Sequence, residues 1–200
     1  MNLKTQRALQ HWPQILIAMS AITLSFFDRT WFSLRPWVAL DHQWWRIVTG
    51  HLVHTNTAHL VMNLLGLFIV SLGFYREVRW QDSILVLIIL CAWVSLLLLV
   101  FDQVEYLGLS AILHGYLSFL LIQYWRDTPA LHVLCFSLLT AKIIAEQLHW
   151  LDQSNIASII GAPVAIQAHL YGFIGGIGCG LVPFFQSFQF RKALDQSNTQ

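Results

Sequence analysis

Ser110 and His169 have the composition of a nucleophile and its general base, and each lies inside a long apolar run. A serine hydroxyl attacks a carbonyl well only when a neighbouring imidazole takes its proton. Two further polar side chains share this unexpected setting. His59 and Asn63 are four residues apart in the stretch GHLVHTNTAHLVMNL, so they lie on one helix face. Both can donate hydrogen bonds to a developing oxyanion, as can the backbone N–H of Ser110 near a helix N-terminus. Gly108 permits a tight turn into that helix. No Asp is available at the same depth, so a Ser110–His169 dyad is the economical reading. Lys142 and Glu146 are spaced i, i+4 and are expected to pair with one another.

The elements that must position these groups are membrane helices. The chain has 200 residues, 56% of them hydrophobic and only 10% charged. A soluble domain usually carries about 25% charge. That excludes an ordinary cytosolic globule, a disordered chain and a basic nucleic-acid binder, and the net charge of +1 names no partner. Six apolar stretches are long enough to span a bilayer: about Trp12 to Phe27, His54 to Tyr75, Ser83 to Phe101, Leu109 to Trp125, Ala130 to Leu148, and Pro163 to Phe185. Phe26-Phe27-Asp28 offers no small-residue cleavage site, so the first run is expected to be retained. The expected fold is all-α, a polytopic six-helix bundle over residues 1–190 with a short cytoplasmic tail at 191–200.

Lys4, Arg7, Arg76, Arg79, Arg126, Arg191 and Lys192 fall on one side of this arrangement, and Arg29, Arg35 and Arg46 on the other. The positive-inside rule then puts both termini in the cytoplasm. Segments two, four and six all begin outside. Ser110 is near the start of segment four, and His169 lies a turn or two into segment six, about 6–9 Å deep at 1.5 Å per residue. His59 and Asn63 reach a similar depth. The topology made no use of these residues, so their convergence argues for one site in the outer half. The loop from Asp28 to Trp45, with Trp31, Phe32, Trp37, Trp44 and Trp45, is expected to dip into the outer leaflet. Gly172, Gly175, Gly176, Gly178 and Gly180 make segment six smooth enough for close approach to a neighbouring helix. Cys91, Cys135 and Cys179 are read as small apolar packers.

In this order the residues resemble a rhomboid intramembrane serine protease. The resemblance runs from about Trp44 to Gly180. Trp45-Arg46 resembles the family's Trp-Arg pair in the first outer loop. His54, then His59-x-x-x-Asn63, resembles its His-rich second helix, whose last two residues help form the oxyanion hole. Gly108-Leu109-Ser110 resembles its Gly-x-Ser nucleophile motif, and Ala168-His169-x-x-Gly172-x-x-x-Gly176 its catalytic-His helix. Two positions depart from the pattern. Ala111 stands where Gly usually follows the nucleophile, and His114 stands where an aromatic often stacks on the catalytic His. His114 either stacks on His169 or hydrogen-bonds to it. The stretch GLSAILHG is similar to the rhombosortase subgroup. This implies a bacterial inner-membrane protease with its site toward the periplasm, acting on C-terminal GlyGly-type sorting tails of exported proteins.

The resemblance implies catalysis by Ser110 and His169, oxyanion binding by His59, Asn63 and Ser110, and support from His54, Gly108, His114, Gly172 and Gly176. It implies no cofactor and no metal. The partners are the lipid bilayer and a membrane-anchored substrate with a transmembrane helix, and no nucleic acid. Two rival readings use the same residues. One is a catalytically silent rhomboid-like protein that binds transmembrane helices, although such relatives generally lack an intact dyad. The other is a His-rich metal-handling protein, but the chain has no H-E-x-x-H and no acid in segments two or six.

Overall fold

The computed structural model describes residues 11–37, 41–73, 79–126 and 128–182. The expected tail at 191–200, the end of the 1–190 domain, and Lys4, Arg7, Arg76, Arg191 and Lys192 lie outside the described residues. Eight α-helices follow one another among the described residues: α1 Trp12–Leu24, α2 Arg46–Thr49, α3 Thr57–Gly73, α4 Trp80–Leu97, α5 Ser110–Gln123, α6 Pro129–Gln147, α7 Ser154–Ile160 and α8 Ile166–Leu181. The six longer ones coincide with the six apolar stretches, trimmed by a few residues at their ends. α2 and α7 are short helices in the loops. α4 runs on into a π-helical turn, Leu98–Asp102, which stops at Gln103 in the left-handed conformation (φ 51°).

Local chemistry accounts for the helix ends. Pro13 in α1 and Pro129 in α6 occupy first-turn positions, where a missing N–H costs nothing. Asn56 caps α3, its Oδ1 accepting from the His59 N–H at 2.9 Å. α7 ends at Gly161, whose φ of 68° is the usual left-handed helix stop.

The packing reverses the pattern of a soluble protein. Phe68, Ile69, Leu72, Ile88 and Leu138 point outward and are exposed, whereas His51, Ser83, Ser95 and Ser118 are fully buried. Trp80–Asp102, with a mean hydropathy of 3.2, and Pro129–Gln147, with 1.4, are long and apolar enough to cross a membrane. Buried polar groups link the helices. Tyr116 of α5 accepts from Gln14 of α1 at 3.0 Å and shares a 2.7 Å hydrogen bond with Ser83 of α4.

α5 is the centre of the bundle, packed against α3, α4, α6 and α8. Its contact with α8 is made backbone to backbone. A Cβ on Gly172 would lie 1.9 Å from the Ala111 carbonyl oxygen, and one on Gly176 would lie 1.9 Å from that of Gly115. Ser118 Oγ also donates to the Phe173 carbonyl across this seam at 3.0 Å. Ala111 is completely buried here.

The segment before α2 folds onto the end of the bundle where α5 and α8 begin. Arg46 is 3% exposed, and its Nη1 donates to the carbonyls of Thr30 at 2.9 Å and Ser33 at 2.7 Å. Leu34 and Tyr106 form an antiparallel bridge through two hydrogen bonds of 2.9 and 3.0 Å. The Gly108 N–H donates to the Gly50 carbonyl at 3.0 Å. Trp31, Trp37, Trp44 and Trp45 remain exposed on this loop. At its start, the Thr30 backbone N–H bonds the Asp28 carboxyl at 2.9 Å and holds it below the usual carboxylate range.

Candidate active site

Ser110 is the first residue of α5, delivered by a turn that glycine makes possible. Gly108 has a φ of +126°, and a Cβ there would meet the His59 ring at 2.9 Å. Tyr106 Oη donates to the Gly108 carbonyl at 2.6 Å, and the Leu34 bridge holds the loop segment just before it. The nucleophile turn is thus fastened from outside the bundle by residues far away in sequence.

α8 supplies the imidazole that faces it. His169 Nε2 lies 3.0 Å from Ser110 Oγ, and the imidazole is 6% exposed. On its other side, His169 Nδ1 lies 3.1 and 3.2 Å from the two carboxylate oxygens of Glu146 in the last turn of α6. A carboxylate only accepts, so the Nδ1–H tautomer would satisfy Glu146 and leave the Nε2 lone pair to the serine hydroxyl, with Lys142 Nζ also standing 3.3 Å from Nδ1. That is the tautomer a general base needs.

Beside the Ser110–His169 pair stands a third ionisable side chain, Glu146. The expected Lys142–Glu146 pair is present at 2.8 Å, but the same carboxylate also faces His169. The signal lies in the sequence as depth: Glu146 is at the end of segment five that returns to the site. Its i, i+4 relation to Lys142 gives it a sufficient partner already, and so hides the second one.

His114 stacks on His169, with ring centroids 4.3 Å apart and planes inclined by 21°. Its Nδ1–H donates to the Ser110 carbonyl at 2.7 Å, and its Nε2 accepts from Lys142 Nζ at 2.6 Å. Of the two roles left open for it, stacking is the one observed. His114 thereby presents its ring face to His169, with both nitrogens in use.

α3 brings His59 and Asn63 against the same turn. Asn63 Nδ2 donates one hydrogen to the His59 carbonyl at 3.2 Å and keeps a second. The N–H of Ser110, in the first turn of α5, has no acceptor within that helix. His59 is different. Thr55 Oγ1 donates to the Ile160 carbonyl, so the 3.0 Å contact between Thr55 Oγ1 and His59 Nδ1 has the ring as donor. In that tautomer His59 Nε2, against Gly108, is an acceptor, whereas a ring protonated on both nitrogens would donate there. That proton placement depends on a carbonyl of α7, which spacing along α3 does not reveal.

The supporting residues sort by contact. His54 packs edge-on against His59, centroids 4.9 Å apart at 85°. His51 is further off, with Nε2 3.0 Å from Ser95 Oγ of α4. Gly172 and Gly176 let α8 close on α5. α7 covers the start of α3, and besides the Thr55 contact Asn56 Nδ2 donates to the Ile159 carbonyl at 2.9 Å. Among the described residues, no three His, Cys, Asp or Glu side chains converge as a metal would require.

A family model described as Rhomboid domain matches residues 41–185. No curated protein matches the chain significantly.

Proposed function

From the premise that this chain belongs to the rhomboid family of intramembrane serine proteases, we propose that it is an active serine endopeptidase in which Ser110 is the nucleophile and His169 the general base. The observation that carries this reading is the 3.0 Å approach of Ser110 Oγ to His169 Nε2, on a ring whose other nitrogen faces the Glu146 carboxylate. Ser110 Oγ attacks the scissile carbonyl as its proton passes to His169 Nε2. The Ser110 N–H and the spare Asn63 hydrogen face the oxyanion of the tetrahedral intermediate. Collapse returns the proton from His169 to the leaving amine and leaves an acyl-enzyme. Water then repeats the sequence on the ester.

The six longer helices span the membrane, with both termini cytoplasmic and the site in the outer half, toward the periplasm of a bacterial inner membrane. The substrate is a membrane-anchored protein. Its helix must unwind near the outer face, because a regular helix keeps its carbonyls in hydrogen bonds. The GLSAILHG stretch, with His114 stacked on the base, favours GlyGly-type C-terminal sorting tails of exported proteins.

The test is comparative proteomics of membrane and secreted fractions from cells carrying the wild type or Ser110→Ala. Loss of specific cleavage products, with membrane insertion retained, is the expected result. Cleavage that survives Ser110→Ala rules the mechanism out.

A further inference from the structure

Glu146 occupies a position that helix chemistry disfavours. It is in the last turn of α6, where the helix dipole is negative and a carboxylate is destabilised. Its side chain is 2% exposed, and burying a carboxylate costs several kcal/mol unless partners offset it. Residues that break a local rule at such a cost are concentrated at functional sites. The question is which partner the carboxylate serves.

Contacts separate the two. Lys142 Nζ points inward and has a second acceptor in His114 Nε2 at 2.6 Å, so the ammonium does not depend on Glu146 alone. Glu146 cannot reach out, and both its oxygens are within 3.2 Å of His169 Nδ1. Lys142 binds Oε1 at 2.8 Å and lies 3.3 Å from His169 Nδ1. Nζ, Nδ1 and Oε1 form a triangle with sides of 2.8, 3.2 and 3.3 Å, in which the carboxylate is an acceptor open to both neighbours.

We propose that Glu146 is a positioning residue for His169, fixing its Nδ1–H tautomer and stabilising the imidazolium, and that Lys142 keeps the carboxylate ionised and aimed. This rests on the protease reading. When Ser110 Oγ forms its bond to the carbonyl carbon, its proton moves to His169 Nε2. The Nδ1 proton stays on the ring, and Glu146 accepts a charge-assisted hydrogen bond without being protonated. The charged groups around His169 are Glu146 and Lys142 from α6. The neutral polar groups are Ser110 and His114 from α5 and, further off, His59 from α3.

The experiment measures fluorophosphonate labelling of the full-length protein in detergent for wild type, Ser110→Ala, Glu146→Gln, Glu146→Asp, Lys142→Met and the Lys142→Met/Glu146→Gln double variant. No labelling of Ser110→Ala is required by the protease reading, and labelling there sinks that reading separately. Glu146→Gln is expected to lower the maximal labelling rate by about 10²–10⁴-fold at an unchanged half-saturating probe concentration. Glu146→Asp should regain at least about tenfold of that loss, as expected of a carboxylate that acts through hydrogen bonding. The double variant should be as slow as Glu146→Gln. If it recovers the wild-type rate, Glu146 serves only Lys142 and the proposal fails. It fails equally if Glu146→Asp is no faster than Glu146→Gln. Nitrogen NMR of ¹⁵N-histidine-labelled wild type gives a test free of folding defects: His169 should be the Nδ1–H tautomer, and an Nε2–H tautomer overturns the proposal.

Discussion

The α5–α8 seam and the α3–α7 junction border the same site but are held by different means. At the seam, backbone meets backbone, with Gly172 against Ala111 and Gly176 against Gly115. At the junction, side chains reach backbone carbonyls, Thr55 to Ile160 and Asn56 to Ile159. Close packing through glycine leaves nothing to adjust. Hydrogen bonds from side chains to a short loop helix can be exchanged one at a time. Ser110 and His169 therefore sit on the stiff side of the site, and His59 and Asn63 sit beside the adjustable one.

Breaking the seam should have the largest effect. Gly172→Ala puts a methyl group on the Ala111 carbonyl. It is expected to abolish cleavage and to destabilise the protein by about 3 kcal/mol, the upper range for overpacking. Gly178→Ala on the same helix meets nothing within 4 Å and should leave activity and melting temperature unchanged. Thermal unfolding in detergent, paired with a cleavage assay, reads both. Equal effects at the two glycines would contradict the seam.

An intermediate effect is expected at the loop that fastens the nucleophile turn. Arg46→Met leaves the buried carbonyls of Thr30 and Ser33 without their donor. A loss of about 1.5–3 kcal/mol is expected, the range for hydrogen bonds to charged groups. Hydrogen exchange should become faster at the Tyr106 and Gly108 amides, which bond to this loop.

The smallest effect belongs to the junction. Asn56→Ala removes the α3 cap and one tie to α7, for about 1 kcal/mol. Faster hydrogen exchange within Ser154–Ile160, with α5 and α8 unchanged, would show that the junction yields independently of the seam. Exchange that rises equally in α8 would show that it does not.

Much of this arrangement is legible in the sequence, because membrane helices convert position along the chain into depth. Ser110 and His169 meet because both stand a short way into segments that begin on one side. His114 is readable as a ring one turn after the nucleophile. What escapes reading has a common cause. α7 is seven residues long, too short for periodicity to mark it. The Leu34–Tyr106 bridge joins two loops that carry no strand pattern. The acceptor role of His59 Nε2 depends on Thr55 being committed to a carbonyl 105 residues away. Glu146 has an obvious neighbour in Lys142, and helical spacing says nothing about a third group on another helix.

The glycine seam also bears on how this protein tolerates its surroundings. Helices meet a thinner or thicker bilayer by tilting. Between Ala111 and Gly172 there is no rotamer to flex, so α5 cannot tilt without carrying α8 along. The 3.0 Å gap between hydroxyl and imidazole therefore travels with the two helices as one unit when they tilt.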